Sequence, residues 1–129
     1  MIKVYVNKQS YYPVSAPKIK KVVRDFLKAK GIKSNAEISI ALVGNSKMMD
    51  LCKKYLKENT LHNVLSFTES EVGQKFFYPP ENSIRLGEVV VCYQKAVEEA
   101  KKEQKLIEQK VVELILHGTG HLLGHHHEE

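Results

Sequence analysis

A chain of 129 residues is long enough for one domain with a core of its own, and residues 1–129 are expected to form a single domain. Its 20 Lys+Arg against 15 Asp+Glu leave a net charge of +5, which is compatible with a polyanionic partner but on charge alone is better read as a solvated Lys/Glu surface. No apolar run is long enough to span a membrane and no leader is read at the start; Cys52 and Cys92 sit in apolar segments, so buried free thiols of a cytoplasmic protein are expected.

Residues 2–6, IKVYV, alternate apolar and polar and predict a half-buried strand. Ser15 followed by Pro17 opens a helix that Gly31 stops. Ile19, Val22, Val23, Phe26 and Leu27 form its inner stripe, and Lys18, Lys20, Lys21, Arg24, Lys28 and Lys30 its basic outer face. Residues 37–43 predict a second strand. Asn45 or Ser46 then caps a second helix, with Met48, Met49, Leu51, Cys52, Tyr55 and Leu56 inward and Lys53, Lys54 and Lys57 outward. A short strand follows at 63–67, NVLSF. The longest loop, 68–84, carries Phe76, Phe77 and Tyr78, aromatics suited to stacking unpaired bases or to packing on one another. Residues 85–92 form a further strand, in which Gly87 marks a bulge or a close backbone approach. A third helix covers Tyr93 to Lys102, and a last, long helix follows a connection at 103–105. This order predicts an α+β fold with a small mixed sheet of about four strands packed with helices.

The last helix carries the chemistry. Five of the six histidines lie in HGTGHLLGHHH, residues 117–127. From Val111 to Leu123 the helix is apolar nearly all round, as a buried helix is, with a polar stripe at Glu113, His117 and His121. Histidines four apart share one helix face, so two imidazoles reach one ion. Gly124 is expected to end the helix and let His127 return as a third donor. On a continuous helix His125 is the rival third donor. Three imidazoles with an open fourth position describe a catalytic zinc site better than a structural one. The spacing H-x-x-x-H-x-x-G-x-x-H is that of the zinc proteases, but Gly118 stands where they carry the glutamate base. Glu113 and Glu88 are the carboxylates considered in its stead, and the catalytic base itself is left unassigned. His62 is read first as an ordinary loop residue, with facing the site as the alternative.

Three blocks in order also resemble one family. HGTGHLLGHHH is similar to the H-G-x-L-H-L-x-G-Y-D-H signature of the YbeY family, HNVLSF at 62–67 to its VLSF block, and LGEVVV at 86–91 to its LGD block. The resemblance implies a zincin-like site on the last long helix. It also implies one zinc ion per chain held by His117, His121 and His127, with Ser66 and Glu88 lining the site. It implies, further, a zinc-dependent, single-strand-specific endoribonuclease of ribosomal RNA maturation and ribosome quality control. RNA and possible ribosomal proteins are then the partners. The chain departs from the family in having Leu56, not arginine, after Tyr55, and His125-His126 for Tyr-Asp. Two other readings stand beside it: a metal-dependent hydrolase of another substrate, peptide included, and a non-catalytic RNA- or ribosome-binding protein.

Overall fold

The computed structural model describes residues 1–68 and 83–127. The aromatic segment at 76–78, and the side chains of His125, His126 and His127, lie outside what it describes. In chain order the elements are β1 (Ile2–Asn7), α1 (Ala16–Ala29), β2 (Asn35–Val43), α2 (Asn45–Leu51), a π-helical turn (Cys52–Leu56), β3 (Val64–Phe67), β4 (Ser83–Cys92), α3 (Tyr93–Glu103) and α4 (Ile107–His127). The strands form one mixed sheet in the order β1-β2-β4-β3. β1 and β4 run parallel to β2, and the short β3 closes the far edge antiparallel to β4. Among the described residues this is the expected α+β arrangement, with four strands and four helices.

Alternation sorts the strand side chains onto two faces. Ile38, Ile40, Leu42, Val89 and Val91 face a core shared with Ile19, Val23 and Leu27 of α1 and with Val111, Ile115 and Leu122 of α4. Ala41, Leu65, Phe67, Val90 and Cys92 face Met48 of α2 and Cys52. Both cysteines are buried and free. Among the described residues no helix is long and apolar enough to cross a membrane.

The local signals act largely as expected. The Ser15 hydroxyl accepts the Lys18 amide at 3.2 Å and caps α1. Helix α2 is different: Gly44 occupies its cap position with no side-chain bond, and the Asn45 amide donates to Gln94 Oε1 at 2.6 Å. Gly87 combines both features anticipated for it. Its φ is +136°, and a Cβ there would stand 2.1 Å from the Phe67 carbonyl oxygen, so only glycine lets β3 and β4 close at this point. The register of β2 on β4 slips by one residue beside it.

Two expectations about α4 are corrected. The helix does not stop at Gly124 but continues to His127. A helical glycine costs only about 1 kcal/mol relative to alanine, which is too little to break a helix anchored by buried Leu122 and Leu123. Nor is the helix buried all round: Glu113, His117, His121 and Gly124 form an exposed stripe. Gly118 lies on the adjoining, buried side, where a Cβ would meet Val89 Cγ1 at 2.7 Å and Val64 Cγ2 at 3.2 Å.

The contrast between two glycines of one helix is testable. A Cβ at position 120 would meet nothing within 4 Å, so Gly120→Ala should stabilise the protein by about 0.5–1 kcal/mol. Gly118→Val should destabilise it by about 1–3 kcal/mol through overpacking. Urea denaturation of the two variants measures both, and a Gly118→Val protein as stable as the parent would contradict the close packing.

Candidate functional site

The exposed stripe of α4 brings two imidazoles together. His117 and His121, one turn apart, have their Nε2 atoms 3.1 Å from each other and their ring centroids 4.6 Å apart at 72°. Two nitrogens on neighbouring corners of a tetrahedral zinc site stand about 3.3 Å apart for bonds near 2.0–2.1 Å. The observed pair therefore needs almost no movement to share an ion. Among the described residues no third His, Cys, Asp or Glu completes a metal cluster with them.

The pair lines a groove of about 390 Å³, together with Leu56, His62, Asn63, Val64, Leu65, Ser66 and Gly118. The packing of Gly118 sets its shape. Because position 118 faces Val89 and Val64, β3 lies close under the helix and its edge becomes the groove's second wall. A glutamate at 118 would drive its Cβ into Val89, so the protease base has no room on this helix.

The third wall is the π-turn. It continues α2 but with one extra residue per turn: the Lys57 amide donates to the Cys52 carbonyl, and Lys57 adopts a left-handed φ of 59°. Cys52 is fully buried, and the Tyr55 ring lies 4.8 Å from that of Phe67. The widened turn carries Leu56 to the groove. The loop that follows is pinned at two points. His62 Nε2 lies 2.9 Å from Glu58 Oε1. The Asn63 carbonyl accepts the Cys92 amide at 2.8 Å, and its Nδ2 donates to both Glu99 oxygens at 3.2 and 3.1 Å.

Of the residues nominated from the sequence, His117, His121 and Ser66 meet on this groove. Glu113 shares the helix stripe but is committed elsewhere: Lys105 Nζ lies at 2.5 Å and Lys110 Nζ at 2.8 Å. These ammonium groups hold its pKa down to about 2, so it is an ion-paired carboxylate and not a poised base. Lys110, itself buried, also reaches Glu103 at 2.9 Å and Glu99 at 3.5 Å, and its pKa is held above the usual lysine range, first by the bond to Glu113. Glu88 is not part of the groove lining. It alternates with Val89, which faces α4, and so points to the side of Val90 and α2, where burial raises its pKa against the pull of Lys47. The side chain of His127 lies outside the described residues.

The sequence pattern of the endoribonuclease YbeY family matches residues 4–129. The chain belongs to the YbeY family. It is 33% identical over 123 residues to the endoribonuclease YbeY of Dehalococcoides mccartyi, a match covering 90% of this chain and 72% of that one. To the endoribonuclease YbeY of Acinetobacter baumannii it is 32% identical over 110 residues, covering 85% and 68%. The solution structure of a Thermotoga maritima protein superposes with a TM-score of 0.60 at 19% identity, over 95% of this chain and 71% of that one, and supports the fold.

In this YbeY-family chain, Asn63, Val64 and Leu65 are groove residues that sequence reasoning did not assign to the site, and His62 is one it read first as a loop residue. A signal for His62 existed. Once Ser66 is placed on the groove, the period of two in the strand points back through Val64 to position 62. Leu56 was marked only by standing where the family has arginine; the π-turn that carries it to the groove has no sequence mark distinct from a helix.

The Glu113 ion pairs generate a pH prediction. Its folded pKa lies below the ordinary value, so its stabilisation is present above about pH 4.5 and is lost as pH falls through about 2. With 46% of the side chain exposed, screening reduces the contribution to about 1 kcal/mol. Glu113→Gln should therefore be less stable by about that amount at pH 7, and its difference from the parent should vanish between about pH 4.5 and about pH 2 in urea titrations.

Proposed function

We propose that this protein is a zinc-dependent, single-strand-specific endoribonuclease acting in ribosomal RNA maturation. Family membership supports the endoribonuclease reading. The observation that carries the metal reading is the Nε2 pair of His117 and His121, 3.1 Å apart on a groove wall. His117, His121 and His127 are the proposed donors. When bound, the ion supplies Lewis-acid stabilisation of the charge that develops on a phosphoryl group.

The chain's own groups do the rest. Lys53, Lys54 and Lys57 are exposed on and beside the π-turn, next to the groove wall formed by Leu56, and would hold the RNA backbone through its phosphates. Asn63 and Ser66 offer hydrogen bonds along the β3 edge, while Leu56 and Val64 give an apolar wall for a base. Such a groove takes a strand whose bases are unpaired more readily than a duplex. The substrate would then be single-stranded ribosomal RNA in the cytoplasm, in the company of ribosomal proteins.

Two competing readings differ in what they need. A peptidase needs a base beside the metal donors, and the position its sequence pattern reserves, 118, faces the sheet. A non-catalytic RNA-binding role is favoured by Leu56, an uncharged residue on the groove wall. For the third donor, the family pattern nominates His127, whereas helix continuity puts His125 two turns beyond His117 on the same register.

His117→Ala should lower zinc affinity by at least about 100-fold and abolish cleavage of single-stranded RNA, with casein left intact by every form. Comparing His125→Ala with His127→Ala by zinc titration should show the larger loss at His127. RNA cleavage that survives both chelation and His117→Ala would sink the proposal, and RNA binding with no cleavage by the zinc-loaded protein would favour the binding role.

A further inference from the structure

The groove holds a second histidine chemistry beside the α4 pair. His62 lines it, and its Nε2 is 2.9 Å from Glu58 Oε1. A carboxylate at one ring nitrogen favours the tautomer that donates there, which leaves Nδ1 as the acceptor nitrogen. Both ends of this pair are anchored. The Glu58 amide donates to the Cys52 carbonyl at 3.3 Å, tying the carboxylate to the buried end of the π-turn. One residue after His62, Asn63 is fixed by Cys92 and Glu99. An imidazole held between two such anchors is preorganised rather than free on a loop.

His62 is also separate from the metal donors, because the described residues contain no group of three that holds a metal. The other candidate bases are engaged or turned away. Glu113 is paired with two lysines, and Glu88 faces the opposite side of the sheet.

We propose that His62, oriented by Glu58, is the general base and then the general acid of phosphodiester cleavage. The assignment rests on the endoribonuclease reading above. Nδ1 takes a proton from the attacking water as the water oxygen bonds to phosphorus. The bond from phosphorus to the leaving ribose oxygen breaks, and that oxygen takes the proton from the imidazolium. One water is consumed, one P–O bond forms, one breaks, and the imidazole returns neutral.

The test uses the zinc-loaded full chain and a labelled single-stranded RNA. His62→Gln should lower kcat by about 10²–10⁴-fold while KM, RNA affinity and zinc stoichiometry stay within about twofold. Glu58→Gln should show a smaller loss of the same kind. Added imidazole should restore part of the activity of His62→Ala, a rescue that a merely structural role does not produce. A kcat within about threefold of the parent in His62→Gln overturns the assignment, as does a loss of zinc in that variant or a failure of imidazole rescue. A parent protein that binds zinc and RNA yet cuts nothing overturns both this assignment and the reading beneath it.

Discussion

The close approach of the last helix to the sheet is the constraint on which the site depends. Gly118 brings the backbone of α4 onto Val89 and Val64, with no room for even one methyl group. That contact fixes the roll of the helix. With position 118 turned inward, positions 117 and 121 must turn toward the edge strand. The histidine pair is thus a by-product of core packing, and the same glycine removes the glutamate a peptidase would need. One residue decides both where the histidine pair points and why no glutamate follows His117.

Charge pairing then holds the helices in register. Lys110 is buried between α3 and α4 and meets three carboxylates, Glu99, Glu103 and Glu113. A buried cation with partners on two helices penalises any slide between them, because a slide would strip it of neighbours it cannot replace with water. Glu99 extends this link to Asn63 at the groove. The polar face of α3 is in this way mechanically continuous with the edge of the site.

Most of the secondary structure was legible because it rests on periodicity: β1, α1, β2 and the outward lysines follow from spacing alone. The four-strand count was readable, whereas the strand order required tertiary contacts. What misled was local chemistry weaker than its surroundings. Gly124 looked like a stop, yet Leu122 and Leu123 beside it carry the helix on. Glu113 looked available beside the histidines, although Lys110, three residues before it, was a readable competitor. Glu88 alternates with Val89, but which face of β4 would meet the histidine helix is not written in the strand itself. The pairing of His62 with Glu58 depends on a π-turn, a backbone state without a composition of its own.

That turn makes the site sensitive to counting. A π-turn is an α-helix with one residue too many, and everything after it is rotated by about 100° relative to an uninterrupted helix. Leu56 and Glu58 owe their direction to that surplus residue. Removing one exposed position, Lys53 or Lys54, leaves every buried side chain of the turn in place by composition, yet turns the groove wall and the carboxylate partner of His62 away from the histidine helix. Within this fold, a one-residue change in length at 52–56 is a change of groove, whereas most substitutions there are changes of surface.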